Sequence, residues 1–225
     1  MGRRYSFTAT LFLIAIVFPA IAQTNQYLTH LDSDPAAIDL LDKLKSYLSN
    51  ERLTVDFGMS ITHPAEEPIV TKGTFVQQGK KYRITTGDLQ MWCDGTSRWV
   101  YMIDANEVSL YSAADDDDIV NPVSVFTQYT GDEYIAVVTG SEHVREIPVQ
   151  VLEIKPVDRD SEIAKLRLFV KTDGRPVRLE IMEKTALRTA LDIYGISTHA
   201  KQEDTFFTFN KTEFPGVHVE DLRID

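Results

Sequence analysis

The residues that could do catalytic chemistry are scattered along this 225-residue chain. No two histidines have a spacing typical of metal ligands, and none shares a helical turn as in H-E-x-x-H; the five are His30, His63, His143, His199 and His218. The sequence GISTH at residues 195–199 lacks the last glycine of a G-x-S-x-G nucleophile elbow. We therefore expect a protein that is not an enzyme and that uses no cofactor and no metal ion.

Acidic clusters do not change this expectation. The four consecutive aspartates at residues 115–118 point apart from one another, whereas a calcium site needs alternate side chains that converge. Glu66 and Glu67 fall in a predicted turn, where nothing would bury them and shift a pKa. We interpret residues 115–118 as a solvated loop.

Large apolar side chains are the more informative feature, and they concentrate at residues 91–108. Asp94-Gly95 lies between two β-rich runs and predicts a hairpin with a type I′ turn. The second strand is apolar on both faces, with Trp99, Tyr101 and Ile103 on one and Val100 and Met102 on the other. Because a half-exposed strand shows one polar face, we expect this strand to be covered on both sides.

The N-terminus is typical of a cleavable signal peptide. Arg3 and Arg4 precede an apolar run at residues 11–21, and Ala20-Ile21-Ala22 is a small-x-small cleavage site. The alternative, a membrane anchor, is disfavoured because the run is shorter than the ~20 residues that span a bilayer. We expect residues 1–22 to be removed after Ala22 and the mature protein, residues 23–225, to be exported.

Charge and cysteine content limit the partners. The net charge of −11 becomes −13 without the two arginines of the signal peptide, which argues against nucleic acid and against stable membrane insertion. Cys93 is the only cysteine, so no intramolecular disulfide can form, and none lies at the cleavage site to carry a lipid. A hydrophobic content of 43% is that of a globular protein.

Periodicity predicts one helix followed by many strands. Asp34 can cap a helix that begins at Pro35 and ends near Leu48, because apolar residues recur there at helical spacing. Asn121-Pro122 begins a second, short helix. Besides the hairpin at 91–103, strands are predicted at residues 53–62, 69–78, 81–85, 107–111, 134–138, 144–147, 149–155, 164–171, 177–182, 187–196, 206–209 and 217–224. This pattern indicates an α+β chain built around a large curved antiparallel sheet or barrel, with no internal domain boundary.

The hairpin also carries a resemblance to a known family. Asp94-Gly95-Thr96-Ser97-Arg98-Trp99-Val100-Tyr101 resembles the D-G-x-x-x-W-x-Y segment of the LolA family, periplasmic carriers of lipoproteins. The same order of features continues along the mature chain, with Gly73-Thr74-Phe75, Asn121-Pro122, Asp173-Gly174, Phe207 with Phe209, and Gly216-Val217. No single motif is decisive, and the ordered set carries the resemblance.

The resemblance implies a single LolA-like domain, an incomplete, strongly curved antiparallel β-barrel of about ten to eleven strands with a helical lid over a hydrophobic cavity. It further implies a monomeric periplasmic carrier that takes acylated lipoproteins from an inner-membrane exporter and delivers them to an outer-membrane acceptor. The residues predicted to line the acyl-binding cavity are Val55, Phe57, Met59, Phe75, Tyr82, Ile84, Met91, Trp99 and Tyr101, and those predicted to form the lid are Ile38, Leu41, Leu44, Val123 and Phe126.

One family feature is missing, and two other functions remain open. Many members have an arginine that holds the lid closed, but the matching position is about Gly79, beside Lys80 and Lys81. Lysine offers a point charge where arginine offers a planar fork. A lipoprotein- or lipid-sensing module with the same fold is the first alternative. A hydrolase is the second, and it would need a Ser–His or carboxylate pair on the cavity wall.

Overall fold

The computed structural model describes residues 29–114 and 121–223. The predicted signal peptide and the aspartates at residues 115–118 lie outside the described residues. One α-helix, α1, spans Pro35–Leu48 and precedes all strands. The twelve strands are β1 (Arg52–Thr62), β2 (Ile69–Gln78), β3 (Lys81–Thr86), β4 (Leu89–Cys93), β5 (Ser97–Met102), β6 (Glu107–Ser112), β7 (Tyr134–Val144), β8 (Ile147–Pro156), β9 (Ile163–Val170), β10 (Pro176–Glu183), β11 (Arg188–Thr198) and β12 (His218–Asp221).

All twelve strands belong to one sheet. Their order is β12-β6-β5-β4-β3-β2-β1-β11-β10-β9-β8-β7, so β12 and β7 are the two edges and the sheet stays open. Every pair is antiparallel except β12 with β6. The predicted α+β class with an incomplete antiparallel barrel is confirmed, with twelve strands where ten to eleven were expected.

Helix α1 covers the concave face of the sheet. The Asp34 carboxylate accepts a hydrogen bond from the Ala36 amide at 2.9 Å, and Pro35 occupies the first turn, as predicted. The Asp34 amide also donates to the carbonyl of Ala136 at 2.9 Å, which ties the start of the helix to edge strand β7. The helix buries Ala37, Leu40, Leu41, Leu44 and Leu48 in the main hydrophobic cluster, together with side chains from most of the strands.

A second cluster lies on the convex face. Trp92 and Tyr101 pack there with Val108 and Val217, and the ring centroids of Phe209 and Phe214 lie 5.5 and 5.7 Å from that of Trp92. These phenylalanines belong to the segment that follows β11 and returns across β4–β6. The predicted strand at residues 206–209 is wrong, because the segment forms a 3-10 helix at Asp204–Phe207.

One predicted turn and one predicted strand differ from the observed structure. Gly95 has a φ of 91°, but Asp94 is not in the left-handed region; its carboxylate instead accepts from the Thr96 and Ser97 amides at 2.8 Å each. The two-residue turn with positive φ at both positions is Arg145-Glu146, at 49° and 62°, between β7 and β8. The predicted strand at residues 144–147 is therefore wrong.

Candidate functional site

The candidate site is an apolar cavity of about 280 Å³ on the concave face. Five strands supply its walls because alternate side chains of each strand point to this face. Met59 lies opposite Leu191 on the neighbouring strand, and Ile84 lies opposite Met91. The described residues of the lining are Phe57, Met59, Thr71, Ile84, Thr86, Asp88, Leu89, Met91, Pro122 and Leu191.

The segment that contains Pro122 forms one side of the cavity. The Asn121 side-chain oxygen accepts from the Val123 amide at 2.8 Å and begins a short 3-10 helix at Ser124–Phe126. Val123 and Phe126 are buried in the same cluster as α1. The Lys45 ammonium donates to the Thr130 carbonyl at 3.3 Å, which joins α1 to this segment. We call α1 and residues 121–130 together the cover of the concave face.

A turn that contains a glycine also lies against α1. Gly174, between β9 and β10, has a φ of 85°. A Cβ built on this residue would lie 2.5 Å from the carbonyl carbon of Lys43 and 2.7 Å from the amide nitrogen of Leu44. No residue other than glycine fits this contact without movement, because the obstacle is helix backbone rather than a flexible side chain.

The structure brings together only part of the predicted cavity. Phe57, Met59, Ile84 and Met91 line it. Val55, Phe75 and Tyr82 belong to the same cluster at 0 to 6% exposure and do not border the cavity.

Trp99 and Tyr101 lie on the convex face with the second cluster. The register explains this placement, because Trp99 pairs with Trp92 whereas Val100 pairs with Met91.

The predicted lid residues divide in a similar way. Leu41, Leu44, Val123 and Phe126 are buried in the main cluster. Ile38 is 43% exposed, because Ala37 and Leu40 occupy the buried stripe of the helix instead.

Sequence reasoning missed several residues of the site. Leu191 and Leu89 follow from strand alternation once the register is known, but the register is a tertiary property. At the rim, the Thr86 hydroxyl donates to the Asp88 carboxylate at 2.7 Å and accepts from the Leu89 amide at 3.1 Å. This pair closes the turn between β3 and β4. Outside the cavity, sequence reasoning also missed Arg98, a buried cation at 5% exposure that lies opposite Cys93, with its guanidinium 5.0 Å from the Tyr111 ring centroid.

Within the described part of the chain, Lys80 and Lys81 form no ion pair with the cover. Gly79 occupies a tight turn with a φ of 61°, and its amide donates to Glu51 at 2.8 Å. Lys81 pairs with Asp204 at 2.6 Å, in the C-terminal segment.

The lining of the cavity is suited to bury an apolar part of a ligand. Among the described residues, the lining contains a single carboxylate, Asp88, and no serine, histidine or lysine. Within residues 29–114 and 121–223, no group of three or more histidines, cysteines, aspartates or glutamates could hold a metal ion. In the same part of the chain, no helix is long and apolar enough to cross a bilayer.

Comparisons with known proteins find similarity in structure but not in sequence. No family model matches the chain, and no curated protein matches it. Among solved structures, an uncharacterized conserved protein from Thermus thermophilus aligns with a TM-score of 0.53 at 10% identity, over 83% of this chain and 99% of that one.

Two further matches have lower TM-scores. A LolA superfamily protein from Nitrosomonas europaea aligns at a TM-score of 0.40 and 15% identity, over 77% and 97% of the two chains. LprF from Mycobacterium bovis aligns at a TM-score of 0.45 and 8% identity, over 76% of this chain and 97% of LprF. The Thermus protein shares the fold of this chain, and the open twelve-stranded sheet with its covering helix agrees with the incomplete antiparallel barrel that the sequence predicts.

Proposed function

We propose that this protein is a soluble periplasmic carrier that binds the acyl chains of lipoproteins on its concave face. It would receive them from an inner-membrane exporter and deliver them to an acceptor at the outer membrane. The observation that carries the proposal is the apolar cavity between the concave face and its cover. Seven of the ten described lining residues have aliphatic or aromatic side chains without a polar atom other than methionine sulfur: Phe57, Met59, Ile84, Leu89, Met91, Pro122 and Leu191.

Cavity size requires the cover to move during loading. Ligand pockets for small molecules typically occupy ~300–1,000 Å³, and this cavity of about 280 Å³ lies at the lower end. Several acyl chains do not fit beside a helix that fills the concave face with five buried side chains. The space for a larger cargo is the volume that α1 itself occupies, so α1 must leave the sheet when cargo enters.

The energetics of such exchange favour adaptable walls. Each methylene that leaves a bilayer for water costs ~0.8 kcal/mol, so a carrier must replace the membrane almost completely. Met59 and Met91 suit this role because an unbranched thioether adapts to irregular shapes. An acyl chain would displace apolar contacts between α1 and the sheet and form similar ones in their place.

The first test is native mass spectrometry, with lipid extraction, of the protein purified from the periplasm of its own host. Co-purification of an acylated lipoprotein that detergent removes would support the carrier and identify the cargo. A clean unliganded mass, under conditions in which a known carrier is loaded, would contradict it.

A pair of variants tests the location of binding. Met59→Trp fills the cavity, whereas Val137→Trp adds the same ring to the convex side of edge strand β7, where Val137 is 37% exposed. We expect only Met59→Trp to weaken the binding of a fluorescent fatty acid. Equal binding by both variants would place the ligand elsewhere.

The small cavity gives specific support to one alternative, a lipid- or lipoprotein-sensing module. A sensor would bind the ligand without transferring it. Incubation of loaded protein with acceptor vesicles separates the two functions, because a carrier releases its cargo to a suitable acceptor and a sensor retains it.

A further inference from the structure

A second, chemically different pocket lies on the convex face. It has a volume of about 420 Å³ and extends across four neighbouring strands, β1, β11, β10 and β9. Two rows of side chains in register form it. The first row is Ser60, Ala190, Glu180 and Arg167, and the second row is Thr62, Arg188, Met182 and Lys165. The small residues on β1 and β11 form the floor, and the long side chains form the walls.

The pocket is cationic in an acidic protein. Its lining contains Lys165, Arg167 and Arg188 against one carboxylate, Glu180, although the chain as a whole has a net charge of −11. Arg188 forms no ion pair with any residue that the structure describes. Arg188 is therefore a positive charge of the pocket that no described carboxylate neutralises by direct contact.

The surrounding ion pairs leave this excess in place because carboxylates are shared. Glu180 lies 3.4 Å from Arg167 and 3.6 Å from Arg178. Glu153 is shared in the same way, at 2.8 Å from Lys165 and 2.9 Å from Lys155. Hydrogen bonds from Lys165 and then Lys155 lower the pKa of Glu153, which keeps this carboxylate ionised. Arg167 has one further partner, Glu142, at 2.5 Å.

An exposed apolar side chain borders the cationic pocket. Val70, at the start of β2, pairs with Ser60 of the pocket floor and is 59% exposed. Cations beside an exposed aliphatic side chain match the chemistry of a lipid at a membrane surface, where a phosphate lies next to hydrocarbon. Binding of a free phosphate ion would use the cations and give the exposed aliphatic side chain no role.

We propose that the convex pocket binds the phosphate group of an anionic phospholipid headgroup, with Arg188 as a direct contact and Lys165 and Arg167 at its sides. Val70 would lie against the apolar part of the same lipid. Because the rest of the chain is acidic, an anionic membrane repels it at long range, so attachment depends on this local site. The assignment does not depend on the proposed function, since the pocket and the concave cavity lie on opposite faces of the sheet.

The test is co-sedimentation with vesicles of phosphatidylcholine, with and without phosphatidylglycerol. Arg188→Glu is the test variant, and Lys211→Glu makes the same charge change in the C-terminal segment. We expect the protein to bind only vesicles that contain phosphatidylglycerol. Arg188→Glu should weaken this binding by about 25-fold, because each basic side chain near an anionic surface contributes about fivefold. Arg188→Ala, which introduces no new charge, should weaken it by about fivefold.

The remaining outcomes distinguish the sources of phosphate. Release of bound protein by added inorganic phosphate would support recognition of the phosphate group itself. Binding of inorganic phosphate by a protein that ignores both vesicles would overturn the assignment to a lipid. Equal losses for Arg188→Glu and Lys211→Glu would also overturn it, since they would show that net charge and not the pocket governs binding.

Discussion

The contact between Gly174 and α1 leads to a sharp prediction about what holds the cover on the sheet. We expect Gly174→Ala to loosen α1 without unfolding the strands. The added Cβ would lie 2.5 and 2.7 Å from backbone atoms of Lys43 and Leu44, so the helix must move away from the turn. Gly95→Ala is the matched control, because Gly95 also has a left-handed φ, of 91°, but its nearest contact is a side-chain carbon of Lys80 at 3.7 Å.

Both variants place alanine in the left-handed region, and only Gly174→Ala also creates a steric overlap. Alanine in the left-handed region costs ~1–2 kcal/mol at either position. Only Gly174→Ala adds a steric overlap with a packed element, for which overpacking typically costs ~1–3 kcal/mol. We therefore expect Gly174→Ala to lower the free energy of unfolding by ~2–5 kcal/mol and Gly95→Ala by ~1–2 kcal/mol.

Hydrogen exchange locates the effect. A local loss of ~1–3 kcal/mol corresponds to roughly 5- to 150-fold faster exchange, and we expect it at the amides of α1 in Gly174→Ala alone. If the cover controls access to the cavity, the same variant should also bind a fluorescent fatty acid faster. Equal exchange of α1 in Gly174→Ala and Gly95→Ala would refute the reasoning, since the contact would then not hold the helix.

Three further predictions test the two faces of the sheet. Leu44→Ala should lower the free energy of unfolding by ~2–5 kcal/mol, because this side chain is fully buried, whereas Leu31→Ala, at an 82% exposed position, should change it by less than ~0.5 kcal/mol in urea titrations. Trp92→Ala should lower the free energy of unfolding by ~3–5 kcal/mol yet leave fatty-acid affinity unchanged, because Trp92 packs on the convex face. Weaker binding by the folded variant would contradict the placement of the ligand on the concave face. Lys165→Met should raise the pKa of Glu153 in an NMR titration and cost at most ~1 kcal/mol at neutral pH. Because the native pKa of Glu153 is lowered, this cost should vanish as the pH falls through that pKa, and a cost that persists in acid would exclude the ion pair as its cause.

Local patterns were enough to predict the helix and most strands. The cap at Asp34, the proline that follows it and the apolar spacing to Leu48 define α1 correctly, because helix ends depend on neighbouring residues. The strand at Ile69–Gln78 was predicted with its observed bounds because turn residues flank it, Pro68 before and Gly79 after. In the strand at Arg52–Thr62, alternation with a period of two is visible within the strand itself.

Local patterns could not decide which face of the sheet each side chain occupies. The apolar side chains of β5 fall on both faces, so nothing in the sequence near Trp99 shows that it lies opposite the cavity. The expectation that both faces are covered holds for Val100 and Tyr101 but not for Met102, which is 46% exposed at the end of the strand. The placement of Trp99 depends on residues more than a hundred positions later in the chain, because Phe209 and Phe214 pack across β4–β6 on the convex face. The same long-range packing makes residues 204–207 a 3-10 helix where their composition favours a strand.

The candidate site illustrates the same division. Sequence alone determined that the chain has large apolar side chains on alternating strands, an amphipathic helix and no recognisable catalytic motif, because these properties depend on residue type and short spacing. Only the tertiary structure decided that Met59 meets Leu191, that Gly174 touches the backbone of α1, and that Arg188 shares a pocket with Lys165 and Arg167. Each of these contacts joins elements that are distant in the chain, and their register and curvature arise from packing of the whole sheet.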